Sequence, residues 1–242
     1  DVAPSRGLGD VYKRQTVFSH ITADPVIQEC IPVLGEAVDQ VGGPQIRNIG
    51  TIGGNICNGA VSADSVPTVF SYNALLKIAN AGGGRTVPVR EFYLGPGRVD
   101  LHPGEVLTHV IIPRAEYEGY HGHYIKYSMR NAMDIATLSC SVVSRIDSVK
   151  NILEDVRITF GVAAPVPYRC VETEELLNGQ KPGEELYQKL EDSIRKEIHP
   201  RDSWRASRDF RLQISGEIAR RALIQTVKLA GVPAKDQGGE EA

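Results

Sequence analysis

Cysteine is scarce in this sequence, and what little there is lies scattered. The 242 residues include only four cysteines, Cys30, Cys57, Cys140 and Cys170. No two of them form a CxxC pair, so neither a zinc site nor an iron–sulfur cluster is indicated. So few thiols in a chain this long argue against a disulfide framework and for a reduced, cytoplasmic protein. No apolar run approaches the roughly eighteen residues of a membrane span, and no signal-peptide pattern is present. The formal net charge of −3 gives no general pull toward nucleic acid or acidic membranes. There is no GxSxG elbow to support a hydrolase triad. The dinucleotide fingerprint GxGxxG is also missing, so a Rossmann site is unsupported.

What is present is an ordinary globular composition, 41% hydrophobic and 24% charged, with enough length for one or two domains around an apolar core. The chain starts at Asp1, and Ser5 to Gln15 (SRGLGDVYKRQ) resembles a translated sequencing-adaptor string. Residues 1–15 are therefore expected to be a non-native leader outside the fold, and the chain a fragment. A disordered native terminus is the alternative.

Asp24 is placed to cap a helix opened by Pro25, and Pro32 opens another with Val33, Leu34, Ala37, Val38 and Val41 on its apolar stripe. Gly42, Gly43 and Pro44 should stop it. A short helix is expected over 67–72. Strands are expected over 74–79 and 85–89 around a turn at Gly82 to Gly84, with a further strand over 105–113. The composition shifts around 114–122, marking a domain boundary. Beyond it 124–129, 138–146 and 153–162 alternate like antiparallel strands. Amphipathic helices follow over 183–197 and 207–230, the second with Phe210, Ile214, Ile218 and Ala222 spaced four apart. A polar tail follows Ala234. This order is an α+β plan and not a βαβ alternation.

Glycine is enriched, at 24 residues, and it clusters. Gly50, Gly53, Gly54 and Gly59 stand among Thr51, Asn55, Asn58, Ser62 and Asp64. Such a loop can present several backbone N–H groups to one anion, because the missing side chains let a ligand approach. Asn55 can both donate and accept, and Asp64 can accept from a hydroxyl or steady the loop. On physics alone, the same pattern also serves as a tight structural bend.

The string GPQIRNIGTIGGNICNGAVSAD (43–64) resembles a flavin-contacting segment of the FAD-binding subunits of molybdenum hydroxylases, and GNICNGAVSAD is close to the form in bacterial xanthine dehydrogenases. TVFSHITADPVIQECIPVL (16–34), GEVLTHVIIP (104–113), YIKYSMRNAMDIATLSC (124–140), FGVAAPVPYRC (160–170) and SWRASRDFR (203–211) resemble the same family in the same order. The likeness spans about 16–232. It implies a partial PCMH-type FAD-binding domain over 16–113, a CO dehydrogenase flavoprotein C-terminal-like domain (an antiparallel sheet with helices) over 120–232, and a disordered tail over 233–242.

The resemblance also implies FAD as cofactor and assigns positions to it. Gly50, Thr51, Ile52, Gly53, Gly54 and Asn55 would line the FAD near its pyrophosphate, and Asp64 would hydrogen-bond to it. Val41 would stand where some relatives place an aromatic residue against the adenine. Leu107 would pack on the ring system. Lys126 would approach the flavin edge and could stabilise a reduced, anionic flavin. Asp134 would fall in the loop facing the flavin, where Met133 replaces the second acid of some relatives. The family's other glycine-rich loop would lie before Thr16, so this fragment is expected to retain little or no FAD.

The implied partners are an iron–sulfur subunit and a molybdenum cofactor subunit, with NAD+ as electron acceptor and no nucleic acid or membrane. A flavin subunit for carbon monoxide, nicotinate, aldehyde or hydroxybenzoyl-CoA chemistry, or a non-flavin assembly module, are the alternatives. His121 and His123 are expected in a solvated interdomain loop and His109 within a strand. The arginines from Arg201 to Arg221 are expected on a polar helix face and its lead-in. Trp204 is expected to anchor the last helix to the strands, and Cys57 to serve as a small residue.

Overall fold

Prolines and caps cut the front of the chain into short helices. The computed structural model describes residues 15–231 and the backbone of Asp10–Lys13; residues 1–9 of the leader and the tail 233–242 lie outside the described residues. Asp24 caps α2 (Pro25–Cys30), its Oδ1 accepting from the Val26 N–H at 2.8 Å. Helix α1 (Phe18–Ala23) precedes it, and α3 (Pro32–Asp39) buries Val33, Leu34, Ala37 and Val38 as their spacing predicts. Gly42, at φ +51°, turns the chain away. Pro44 then opens α4 (Pro44–Ile49), a helix the sequence reading did not place. Pro44 acts as a starter as well as a stop, because its fixed φ suits a first helical turn.

The glycine-rich stretch holds α5 (Ile52–Cys57) and leads into α6 (Ser65–Ser71). The hairpin β2 (Leu75–Asn80) and β3 (Gly83–Pro88) falls where expected, followed by α7 (Val89–Phe92), the small ribbon β4 (Tyr93–Gly95) and β5 (Arg98–Val99), and β6 (Val106–Ile112). Before all of these comes β1 (Asp10–Lys13), and the first sheet runs β1-β6-β2-β3, antiparallel throughout. Here the expectation of a leader wholly outside the fold is corrected: Asp10 pairs with Ile112 and Lys13 with His109. An edge strand offers a free row of N–H and C=O groups, which extended backbone can satisfy whatever its side chains.

The second sheet runs β10-β9-β8-β7, from β7 (Tyr120–Tyr127), β8 (Leu138–Asp147), β9 (Ile152–Gly161) and β10 (Tyr168–Arg169). His121 and His123 therefore lie in a strand that begins at Tyr120, not in the expected loop. Helices α8 (Val171–Leu177), α9 (Glu184–Glu197) and α10 (Arg208–Leu229) cover one face. The other face is covered by α3 and α6 of the first domain. Alternation along β8 therefore separates two buried faces. Leu138, Cys140 and Val142 join the second core, while Val143 joins the first, with Ser139 and Ser141 buried between the domains.

Two expectations near α10 are overturned. Trp204 is 79% exposed, its ring covered only by the Arg205 guanidinium at 4.2 Å, so it anchors nothing. Arg211, expected on a polar face, is 2% exposed. Its guanidinium donates to the carbonyls of Thr137, Ala206 and Arg201 and to Ser203 Oγ, tying the lead-in loop to the helix and sheet. A charge-rich string gives no sign of which single arginine has carbonyls waiting for it. Among the described residues, no helix is long and apolar enough to cross a membrane.

Candidate functional site

The glycine-rich segment is the first turn of a helix and not an open loop. Thr51 Oγ1 accepts from the Gly54 N–H at 3.0 Å, which makes it the N-cap of α5. Ile52 and Ile56, four apart, are both fully buried and fix the helix to the core. Gly50 is required by packing, since a Cβ there would stand 2.9 Å from the Ile46 carbonyl and 3.0 Å from the Phe18 ring. Gly54 differs, because it is exposed and a Cβ there would meet only Thr51 Oγ1, at 3.0 Å. Asn55 Oδ1 accepts from Ser65 Oγ at 2.7 Å, which fixes the amide so that its Nδ2 is the outward donor.

Ser65 follows Asp64, and Asp64 carries the link to the second domain. Its Oδ1 accepts from the Tyr124 hydroxyl at 2.8 Å and its Oδ2 from Lys126 Nζ at 2.9 Å. Lys126 Nζ also donates to the Gln40 carbonyl at 2.9 Å. Asp64 is 6% exposed. Burial pushes its carboxyl above the usual carboxylate range, against the pull of Lys126 and of the Tyr124 hydrogen bond. Burial raises the Tyr124 phenol as well, with the Asp64 charge adding to it.

Lys126 opens onto a cavity of about 220 Å³ that it shares with Gln40, Arg130, Met133 and Asp134. Its outer wall is the loop between β7 and β8. Burial there works against the Asp134 charge, but the N–H groups of Ile135 and Arg130 and the Arg130 guanidinium outweigh it and hold the carboxyl below its ordinary value. Met133 has φ +52°, uncommon for a residue with a side chain, and lies against Gly43. The loop of one domain thus closes over the glycine turn of the other.

The predicted residues divide into groups. Gly50, Thr51, Ile52, Gly53, Gly54 and Asn55 lie together around the start of α5, joined through Ser65 to Asp64 and Lys126. Val41 is half-buried beside Gln40, at the same junction as Asp134. Leu107 stands apart: at 1% exposed it lies inside the first core, with no open face to offer a ring. Strand alternation gave its side but not the depth of cover. Tyr124, Gln40 and Ser65 were missed. Tyr124 is two residues from Lys126 on one strand face, which is the signal that could have found it.

Comparison with known proteins settles the family. A family model described as "FAD binding domain in molybdopterin dehydrogenase" matches residues 15–115, and one described as "CO dehydrogenase flavoprotein C-terminal domain" matches residues 123–226. The putative xanthine dehydrogenase FAD-binding subunit XdhB of Escherichia coli K12 is 38% identical over 216 residues, 89% of this chain and 73% of that protein. The chain belongs to the FAD-binding subunits of the molybdenum hydroxylases. The carbon monoxide dehydrogenase medium chain of Hydrogenophaga pseudoflava is 30% identical over 208 residues, 86% of this chain and 71% of that one. A solved carbon monoxide dehydrogenase of the same organism superposes with a TM-score of 0.87 at 28% identity, covering 93% of this chain and 77% of that one. The family cofactor is FAD, as expected, and the α+β plan is that of these flavoproteins.

The residues present fit an FAD-family site at one end. The uncovered backbone at exposed Gly54, the donor of Asn55 and the capped turn between them suit an oxygen-rich group approaching α5. The buried Asp64–Lys126 pair and the cavity beyond it suit a polar ring edge at the domain junction.

Proposed function

We propose that this chain is the flavin-bearing electron-transfer subunit of a xanthine dehydrogenase-type molybdenum hydroxylase. Electrons would reach it from a molybdenum cofactor subunit through an iron–sulfur subunit, and would leave to NAD+. The xanthine assignment rests on the 38% identity to the Escherichia coli subunit. A carbon monoxide dehydrogenase-type flavin subunit is the second reading, favoured by the fold likeness to that enzyme. The cytoplasm is the compartment we propose, in keeping with the scarcity of cysteine in the sequence.

When bound, FAD supplies the redox chemistry, accepting electrons singly and releasing them as hydride. The chain's part is placement and electrostatics. Thr51 holds the first turn of α5 in shape, and exposed Gly54 would leave its backbone open to the phosphates, with Gly53 buried in the same turn and Gly50 setting the approach of the preceding helix. Ile52 fixes the turn to the core, and Asn55 donates its amide. Lys126, held by Asp64, would line the flavin edge from the second domain, with Asp134 on the cavity wall and Val41 next to Gln40. Leu107 is left out of the reading because it is closed off.

The observation that carries the proposal is exposed Gly54 in a capped turn, whose Asn55 is hydrogen-bonded to Ser65, the chain neighbour of Asp64 in the Asp64–Lys126 pair. FAD titrated into the purified chain, followed by flavin fluorescence, tests it. Wild type should give a saturable change. Gly54→Val should weaken binding roughly ten- to hundredfold, about 1.4–2.8 kcal/mol, because the added side chain would stand in the approach to the turn and crowd Thr51 Oγ1. Equal binding by both proteins would overturn the reading.

A further inference from the structure

Tyr124, Asp64 and Lys126 form a line of contacts across the domain junction. Tyr124 and Lys126 lie two apart on β7 and reach the same face, which the first domain covers. The Tyr124 hydroxyl takes Asp64 Oδ1 at 2.8 Å and leaves Oδ2 to Lys126 at 2.9 Å. A carboxylate bonded at one oxygen alone can swing about its terminal torsion, which is soft. The second bond fixes its plane. An ammonium has three N–H donors. Asp64 and the Gln40 carbonyl take two, and among the described residues the third has no partner. Lys126 is only 5% exposed at its side chain, yet it lines the cavity shared with Gln40, Arg130 and Asp134.

We propose that Tyr124 is a positioning residue: through Asp64 it fixes the Lys126 ammonium at the cavity wall, so that one N–H is aimed at an acceptor atom of the bound flavin. This rests on the flavin reading above. It also alters what Lys126 contributes. Paired at 2.9 Å with a buried carboxylate, it is a directed donor in a neutral pair and not a free positive charge. Asp64, likewise, acts on the cofactor through Lys126.

The test is carried out first without flavin. The purified chain is treated with limiting acetic anhydride, and acetylation of each lysine is followed by peptide mass spectrometry. Lys189, on an exposed helix face, serves as internal control. Tyr124→Phe keeps the ring that fills the core and removes only the hydroxyl. It should raise the Lys126 rate severalfold and leave Lys189 unchanged. Asp64→Asn should raise it further. A Lys126 rate unchanged in Tyr124→Phe but raised in Asp64→Asn would overturn the proposal, since Asp64 would then hold the lysine unaided; so would no change in either variant. FAD titration of the same proteins separates the two claims. Weaker binding by Tyr124→Phe supports the aimed donor. Faster labelling with equal FAD binding by Gly54→Val and wild type would keep the positioning and sink the flavin reading.

Discussion

Buried charges in this protein are held by fans of carbonyls and carboxylates, and at each one the partners decide the effect. Arg211 loses its hydration, but its N–H groups regain acceptors in the Thr137 and Ala206 carbonyls and Ser203 Oγ. A guanidinium's planar fork suits such a role, and a lysine could not repeat it. At the surface, Arg85 grips Glu105 through Nε at 2.9 Å and Nη2 at 2.8 Å, and Asp100 through Nη1 at 2.6 Å. The Arg85 hydrogen bonds, with the His102 N–H, hold the Glu105 carboxyl down to about 2. A depressed carboxyl adds stability above its ordinary pKa and loses it as the pH falls through the folded value. Glu105→Gln should therefore unfold at lower urea than wild type near neutrality, and the gap should close as the pH falls from about 4.5 to about 2. A gap that does not change with pH would show the carboxylate to be unpaired in solution.

At the scale of elements, α3 and β7 determine how the domains meet. Gly122 sits where they touch, and a Cβ there would stand 2.8 Å from Val33 Cγ1 and 2.9 Å from Val143 Cγ1. Both valines are fully buried, so neither can give way cheaply. Gly122→Ala should cost about 1–3 kcal/mol, the usual penalty of overpacking, read as a lower urea midpoint with an unchanged slope. A neutral result would mean that α3 can lift from the sheet. The same contact carries function, since the far end of α3 supplies Gln40 to Lys126. His123, on the same strand, approaches Glu36 of α3 at 3.1 Å, and Glu36 also accepts from the Tyr124 N–H.

For the whole molecule, the second sheet belongs to both domains. Arg157 reinforces the seam: it pairs with Glu116 at 2.7 Å and Asp155 at 2.9 Å, donates to the Tyr120 hydroxyl at 2.6 Å, and reaches the Ser71 carbonyl of α6 at 3.2 Å. Removing the first domain would leave β8 and β9 with one buried face open to water. Unfolding should therefore be one cooperative transition. Hydrogen exchange followed by mass spectrometry should give β6 and β8 the same opening free energy. Two separate values would show that the domains open independently.

The sequence by itself determined the local structure and the family. Caps and prolines marked α2 and α3, alternation marked β2, β6, β8 and β9, and the 43–64 string marked the flavoprotein likeness. These are short-range signals, carried by neighbours in the chain. The tertiary structure alone decided what faces what. It turned the front of the Gly50–Asp64 loop into a capped helix over Ile52–Cys57, because Ile52 and Ile56 had a core to enter. Trp204 was left in solvent and Arg211 taken out of it. Extended backbone at Asp10–Lys13 was enrolled on a free strand edge. It also joined Asp64 to Tyr124 and Lys126, some sixty residues apart in the chain. Such pairings depend on long-range packing, which no local pattern encodes, and the candidate site stands on them.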